Sequence, residues 1–420
     1  MVIGTIIGAS IFVQPSAVTG AVRSLGGVFL VWVATGALTL CGALVTAELA
    51  SAYPTTGGVY VFLKEAFARD CGFLWGWAMF WSMHSGIIAA ISVVFARYAG
   101  YVVPLGDAGV KVVAISAIVA LTVVNYAGVR QGSALQTAFT AGKLVAIAGI
   151  LVAGFWLGAR LPQHFVAPEA PGASHWVPAL VAGLFTYGGW HMVTYTAGET
   201  FDPERTIPRA LVIGTLVVTA CYVALNAMYL YVLPLDQVAR STRVAADAAD
   251  RLLGRGGGTV LSALVMFSTF GGLSGIVLTG PRVYYSMAQD GLLFRWMGAV
   301  HPRFHTPHRA IVLQGLWSCV LVATGTYQTL FTRVVYTEWI FFALMAAGLF
   351  LLRRRPGYAP RYRVPGYPLV PALFVISSLL IVANQVLLDP RHSIAGLALV
   401  LMGWPVYRLW VWWEAARARD

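Results

Sequence analysis

The segment GTIIGASIF, residues 4–12, lies within the first apolar stretch of the chain, yet it contains two glycines and two hydroxyl residues. Because glycine weakens the interior of a helix, two glycines this close together predict a break. A break inside a membrane is tolerated where the freed backbone groups are buried in protein or line a polar cavity. The segment therefore predicts an unwound ligand site, although Gly4 and Gly8 could instead serve only close helix packing.

A second break is predicted at YGGW, residues 187–190. Two interrupted spans at corresponding positions in two halves of a chain are typical of transporters that bind their substrate near the middle of the membrane. The two breaks lie far apart in the sequence, so this interpretation requires the fold to bring them together.

The composition of the chain defines its class. Hydrophobic residues make up 59% of the 420 residues and charged residues only 10%, which predicts an all-α polytopic membrane protein in a lipid bilayer. The net charge of +12 does not indicate nucleic-acid binding, because the basic residues lie in short loops between apolar stretches. The four cysteines are scattered without metal-ligand or disulfide spacing, so no metal and no cofactor are expected.

About twelve apolar stretches are long enough to cross about 30 Å of hydrocarbon. They are predicted near residues 1–21, 27–50, 73–103, 110–127, 134–157, 177–199, 209–233, 258–287, 309–325, 333–352, 368–388 and 394–413. Most Lys and Arg residues lie in loops on the same side as the C-terminus, so the positive-inside rule predicts that both termini are cytoplasmic. The loop between spans 7 and 8 carries four arginines and opposes this trend.

Two further features concern the topology, namely a run of three arginines and the short segment before Gly4. The run Arg353–Arg355 is interpreted as a topology signal that also attracts anionic lipid. Only three residues precede Gly4, and the helix before Gly8 would measure only about 10 Å. The first span therefore either begins upstream of residue 1 or has a short first half.

Five strings occur in an order that makes the sequence specific: GTIIGASIF, AELASAYPTTGGVYVFLKEAF (47–67), TYGGWHMVTYTAGETFDPERTIPRAL (186–211), RVYYSMAQDG (282–291) and PRYRVPGYPLVPALF (360–374). With them the chain resembles the amino acid–polyamine–organocation superfamily, close to its bacterial amino acid permeases and the L-type amino acid transporter family. The resemblance implies a leucine-transporter-like fold with broken spans 1 and 6. Its 5+5 inverted repeat would comprise residues 1–157 and 177–352, with spans 11 and 12 at 368–413 outside the repeat.

An unwound helix offers both donors and acceptors to an amino acid. Backbone N–H groups near Gly8, Ala9 and Ser10 suit a carboxylate. The carbonyls that end the preceding half-helix, near Thr5, Ile6 and Ile7, suit an ammonium group. The resemblance implies the same carboxylate site and assigns the ammonium to the carbonyls of Ile6 and Phe185. This chain reads G-A-S where G-S-G is commoner in the family, which adds a side chain at Ser10.

Aromatic residues flank the second break. The resemblance makes Phe185 an aromatic gate on the extracellular side of the substrate, although an ordinary core position would explain it equally well. Gly188 belongs to the presumed substrate-binding segment. Tyr187 and Trp190 are candidates to line the pocket, and Trp190 could equally pack structurally.

Two ionisable residues within the spans are candidates for ion coupling. Lys143 lies deep in span 5 and requires an acceptor; the resemblance places it where sodium-coupled relatives bind their second sodium ion, between spans 1, 5 and 8. It would act either as a strut or as a titrating group. His191 is a second candidate, unless it simply faces water beside the break. Glu48 is expected to make a structural hydrogen bond, and Glu199 is expected to fix the inner end of span 6.

These observations favour a secondary transporter of amino acids at the cell membrane. The spans contain none of the motifs of an enzyme or a primary pump, and paired broken helices argue against a channel; a non-transporting scaffold or receptor, or a membrane enzyme, remain alternatives. The expected mode of transport is sodium-independent exchange or proton symport. Neutral amino acids, with hydrophobic or aromatic side chains among the candidates, are expected because the presumed pocket has no clear acid; cationic amino acids or polyamines are the alternative. The loop at 104–109 has no cysteine, so no disulfide-linked heavy chain is expected. The sequence specifies neither an oligomeric state nor a role for His84 and Arg97.

Overall fold

The computed structural model describes residues 1–8, 10–158, 175–254, 256–325 and 327–417, and these residues form helices and loops without a β-strand. Eight helices among them are long and apolar enough to cross a membrane. They are span 2 (Leu25–Ala52), span 3 (Arg69–Val102), span 4 (Asp107–Ala127), span 5 (Gly132–Leu157), span 7 (Pro203–Val232), span 8 (Gly257–Gln289), span 11 (Leu369–Leu388) and span 12 (Pro390–Trp413).

The remaining predicted spans are shorter or interrupted. Span 1 consists of the half-helices Val2–Ile6 and Ser10–Val22, and span 6 consists of the α-helix Trp176–Thr186 followed by the 3₁₀-helix Trp190–Glu199. Span 9 is His308–Thr324 and span 10 is Tyr327–Leu352. The all-α polytopic class and the breaks in spans 1 and 6 are therefore confirmed.

Three connecting helices were not expected from hydropathy. Val59–Ala66 lies between spans 2 and 3, and Leu235–Arg240 and Val244–Leu253 lie between spans 7 and 8. Val244–Leu253 buries an alanine-rich face, including Ala245 and Ala248, against the bundle. A helix this short and polar on its other side escapes a search for spans of about twenty apolar residues.

The broken segments lie at the centre of the bundle. The first half of span 1 contacts spans 5, 7 and 8 and the second half of span 6, while its second half contacts span 2 and the first half of span 6. Span 11 packs against spans 2 and 10, and span 12 packs against spans 3 and 10. The two unwound segments are thus enclosed by protein, which is the condition under which free backbone groups are tolerated inside a membrane.

An acid on span 2 joins three parts of the chain. Glu48 is fully buried and accepts hydrogen bonds from Arg353 Nε at 2.8 Å and from the Val364 backbone N–H at 2.6 Å. The structural interpretation of Glu48 agrees with this geometry. Two of the arginines interpreted as a topology and lipid signal also make structural contacts, since Arg355 Nη2 donates to the Ala66 carbonyl at 2.9 Å. A buried carboxylate requires such a partner, and hydropathy alone does not show which basic residue provides it.

Two further contacts fix spans 6, 3 and 8. Glu199, at the end of span 6, forms a bidentate ion pair with the buried Arg282 of span 8, with N–O distances of 2.8 and 2.7 Å. His84 of span 3, for which the sequence predicted no role, donates from Nε2 to the Ile276 carbonyl of span 8 at 2.8 Å. Both contacts hold span 8 against its neighbours.

Candidate functional site

The break in span 1 frees backbone carbonyls that a single side chain binds. The first half-helix ends at Ile6, and the next residue, Ile7, has extended dihedral angles (φ −71°, ψ 91°). Lys143 Nζ donates to the Gly4 carbonyl at 2.9 Å and to the Ile7 carbonyl at 2.7 Å. The ammonium is buried at 1% exposure. A cation at the C-terminal end of a half-helix is favoured by the helix dipole as well as by these hydrogen bonds.

Lys143 also lies against span 8. A Cβ atom built on Gly272 would lie 3.6 Å from Lys143 Nζ and 3.6 Å from the Cα atom of Gly8. The structure thus places Lys143 between spans 1, 5 and 8. Both distances are ordinary van der Waals contacts, so position 272 adjoins the ammonium and the unwound segment of span 1.

The break in span 6 touches the break in span 1. Gly189 has φ +100°, a conformation that side chains with a Cβ atom rarely adopt. A Cβ atom there would lie only 2.9 Å from the Thr5 carbonyl oxygen. Both the backbone angle and the contact require glycine at this position. The fold therefore brings the two unwound segments together, as the sequence required.

A tyrosine that sequence analysis missed connects the two breaks. The Tyr222 hydroxyl of span 7 lies 3.0 Å from the Ile6 carbonyl and 3.1 Å from the Thr186 carbonyl. Its single proton donates to one of these oxygens at a time. No motif surrounds Tyr222 in its apolar span, so only the packing of span 7 against spans 1 and 6 reveals it.

A cavity of about 40 Å³ lies between the two breaks, with room for about three water molecules. Six of the predicted site residues line it: Ile6, Gly8, Ser10, Phe185, Gly188 and Trp190. Spans 3, 8 and 10 contribute further lining residues, among them Ile87, Ile91, Ile276, Glu338, Trp339 and Phe342. Ala9 lies outside the described residues.

Four predicted site residues do not line this cavity. Ile7 is fully buried, and its carbonyl binds Lys143. Tyr187, expected as a pocket residue, points away: its hydroxyl donates to the Trp32 carbonyl at 3.1 Å, and its ring packs on Tyr222. Lys143 and His191 are not part of the lining: Lys143 binds the Gly4 and Ile7 carbonyls, and His191 lies beside Glu338.

Close helix packing, the alternative role considered for Gly4 and Gly8, applies to only one of these two glycines. A Cβ atom on Gly4 would collide with the side chains of Thr140 and Gln136 of span 5. A Cβ atom on Gly8 would instead meet only the Ile6 carbonyl, at 3.9 Å. Gly4 therefore allows close helix packing, whereas Gly8 faces the cavity.

The expectation that the pocket has no acid is wrong. Glu338 of span 10 lines the cavity, and its Oε1 lies 3.4 Å from His191 Nε2. The alternative that His191 faces water is also wrong, because His191 is 1% exposed and its ring lies against Phe342 and Trp75. Glu338 lies near the start of the apolar part of span 10, Tyr336–Leu352, and hydropathy does not indicate the direction in which its side chain points.

Comparison with known proteins identifies the architecture. The family model described as amino acid permease matches residues 1–405. The chain belongs to the amino acid permease family. Members of this family are membrane transporters and not enzymes, and the permease described here is accordingly a multi-pass membrane protein.

Relatives of this permease align along almost its entire length. It is 33% identical over 413 residues to the serine/threonine exchanger SteT of Bacillus subtilis, covering 97% of this chain and 94% of that protein. It is 30% identical to the human large neutral amino acids transporter small subunit 2, covering 99% and 79% of the two chains. It is also 30% identical to the human b(0,+)-type amino acid transporter 1, covering 98% and 86%.

Proposed function

We propose that this permease carries neutral amino acids across the cell membrane by alternating access around the cavity between the two breaks. The observation that carries the proposal is the direct contact of the unwound segments of spans 1 and 6 beside a cavity that both segments line. An amino acid needs donors for its carboxylate and acceptors for its ammonium, and unwound half-helices supply both.

The proposed pose uses the backbone of both segments. The substrate carboxylate binds the N–H groups of Gly8, Ala9 and Ser10, and its ammonium binds the carbonyls of Ile6 and Phe185 beside Gly188. The Ile6 carbonyl already lies within hydrogen-bond distance of Tyr222, but a carbonyl oxygen has a second lone pair. Phe185 and Trp190 form the aromatic wall, with Phe185 as the gate.

Sodium independence is supported by the position of Lys143. Its ammonium already binds the Gly4 and Ile7 carbonyls. While Lys143 is protonated, its positive charge repels a second cation, and its hydrogen bonds use the oxygens that would coordinate one. Lys143 and His191 are the proposed groups for a proton-linked step, if transport is proton symport and not exchange.

The substrate class rests on the cavity and on the relatives. The lining residues are mostly apolar or small, and the named relatives include a serine/threonine exchanger and a large neutral amino acid transporter subunit. One observation favours the alternative of cationic amino acids or polyamines, namely the Glu338 carboxylate in the cavity wall. His191 lies beside that carboxylate and competes with a substrate cation for it.

The proposal includes the arrangement of the chain in the membrane. Residues 1–157 and 177–352 form the two inverted repeats, residues 368–413 lie outside them, and both termini are cytoplasmic. The paired breaks of spans 1 and 6 support this division. The cysteine-free loop at 104–109 supports a permease that works without a disulfide-linked heavy chain.

Uptake into proteoliposomes tests the proposal. One set of vesicles is loaded with unlabelled neutral amino acids, and a second set is empty with an acidic exterior. Label that enters only loaded vesicles indicates an exchanger, and accumulation in empty vesicles indicates proton symport. Uptake that requires sodium, or arginine or a polyamine competing better than every neutral amino acid, contradicts the proposal.

A further inference from the structure

The cavity wall formed by span 10 contains a carboxylate among aromatic rings. Glu338 lies beside Trp339 and Phe342, which also line the cavity. Among the described lining residues, Glu338 is the only one with an ionisable side chain. The rest of the wall consists of aliphatic and aromatic side chains, small hydroxyl residues and backbone.

The buried imidazole of His191 lies beside Glu338. His191 Nε2 lies 3.4 Å from Glu338 Oε1, and the His191 side chain is 1% exposed. Within the described part of the chain, neither ring nitrogen of His191 makes a hydrogen bond of good geometry. The rings of Phe342, Trp75, Trp190 and Tyr195 surround the imidazole. Its orientation is therefore fixed by packing, with Nε2 towards Glu338.

The carboxylate has more acceptor capacity than His191 can use. An imidazole N–H supplies one hydrogen bond, whereas the two oxygens of a carboxylate can accept about four. Glu338 lines the cavity, where a substrate could use this remaining capacity. A substrate with an alkyl side chain would displace water there and leave a buried acceptor unpaired, whereas a hydroxyl group would replace the lost hydrogen bond.

We propose that Glu338, positioned by His191, is the hydrogen-bond acceptor that makes this permease select amino acids with a hydroxyl side chain over isosteric amino acids without one. The inference rests on the proposed function and specifies its substrate class. A cationic side chain is less suited to the site, because the buried imidazole already lies beside the carboxylate and competes with a substrate cation for it. Glu338 would contact the substrate, and His191 would act as a positioning residue.

Threonine and valine are the discriminating pair, since they are nearly identical in shape and differ in one hydroxyl group. Proteoliposomes preloaded with unlabelled serine are assayed for initial uptake of labelled threonine and of labelled valine. The wild-type protein is expected to show a kcat/KM for threonine at least about tenfold above that for valine, the factor that leaving a buried acceptor unpaired costs. A ratio near one, or lysine outcompeting threonine, would overturn the inference.

Substitutions at Glu338 test whether its side chain causes the preference for threonine over valine. Glu338→Met removes the acceptor at similar length and is expected to lower the threonine-to-valine ratio about tenfold. Glu338→Gln keeps one acceptor oxygen and an uncharged shape, and it is expected to retain part of the ratio. Glu204→Gln changes an exposed acid and serves as the matched control with a wild-type ratio. The role of Glu338 is contradicted if Glu338→Met keeps the wild-type threonine-to-valine ratio. It is also contradicted if the control Glu204→Gln loses this ratio to the same extent.

The positioning role of His191 has its own measurement. His191→Asn is expected to lower the ratio by a smaller factor than Glu338→Met, and the double variant is expected to show no further loss, because residues that act through one another are not additive. A purely structural histidine would lower threonine and valine uptake equally. Vesicles that take up neither amino acid in the wild type would overturn the proposed function itself, and with it this inference, whereas uptake of both without discrimination overturns the inference alone.

Discussion

The Lys143 ammonium and the Ile7 carbonyl oxygen lie 2.7 Å apart, although the two residues are separated by more than a hundred positions in the chain. This hydrogen bond joins span 5 to the unwound segment of span 1. It stabilises one of the carbonyls freed by the break, and it places a positive charge behind the proposed site for the substrate.

Lys143→Ala is expected to lower uptake by at least about tenfold or to abolish its pH dependence. The change leaves the Gly4 and Ile7 carbonyls without their donor, and each lost hydrogen bond from a charged group is worth about 2 kcal/mol. Initial uptake into proteoliposomes at several external pH values measures both effects.

The matched control for this change is Lys111→Ala. The Lys111 ammonium also donates to a backbone carbonyl, that of Ala323 at 2.7 Å, but it is exposed and distant from the breaks. Uptake by this variant should equal that of the wild type. Unchanged uptake across the pH range in Lys143→Ala would remove Lys143 from the mechanism.

Gly189→Ala is expected to abolish transport. The substitution forces a side chain into a backbone conformation with φ +100° and brings a Cβ atom to 2.9 Å from the Thr5 carbonyl oxygen. The two breaks would have to separate, which distorts the cavity. Gly149→Ala in span 5 is the control, because a Cβ atom there meets nothing within 4 Å. Transport by Gly189→Ala within twofold of this control would show that the contact between the breaks is dispensable.

Tyr222→Phe is expected to weaken apparent substrate affinity about tenfold without unfolding the protein. It removes the hydroxyl that bridges the Ile6 and Thr186 carbonyls and therefore frees the half-helices to move apart. Concentration dependence of uptake gives KM and kcat separately. Tyr229→Phe is the control, since this buried hydroxyl has no hydrogen-bond partner among the described residues. An equal change in both variants would mean that the bridge has no specific role.

Glu48→Gln is expected to destabilise the protein by about 3 kcal/mol, because breaking a buried ion pair leaves Arg353 without its counter-charge. Thermal unfolding of the purified protein in detergent should show a lower Tm. Glu204→Gln removes an acid from an exposed pair with Arg361 and should leave Tm almost unchanged. A Tm for Glu48→Gln equal to that of Glu204→Gln would show that span 2 does not depend on this pair.

The backbone pattern of the fold could be predicted from the sequence. Apolar stretches of about twenty residues predicted the spans, and Gly8 and the pair Gly188–Gly189 predicted where two of them break. These predictions succeed because hydropathy and glycine act locally: lipid selects the length of an apolar helix, and the lack of a Cβ atom determines where a helix unwinds. Lys143 was also recognisable, because a charge deep in a span needs an acceptor wherever it lies.

The contacts between side chains of different spans were decided only by the tertiary structure. The approach of Glu338 to His191, the bridge made by Tyr222 and the pairing of Glu48 with Arg353 each depend on how one helix is rotated against another. In a soluble protein, an amphipathic pattern would indicate that rotation. In a membrane bundle, lipid-facing and buried surfaces are both apolar, so the sequence determines that a helix spans the membrane, and only packing against its neighbours decides which way its few polar side chains point.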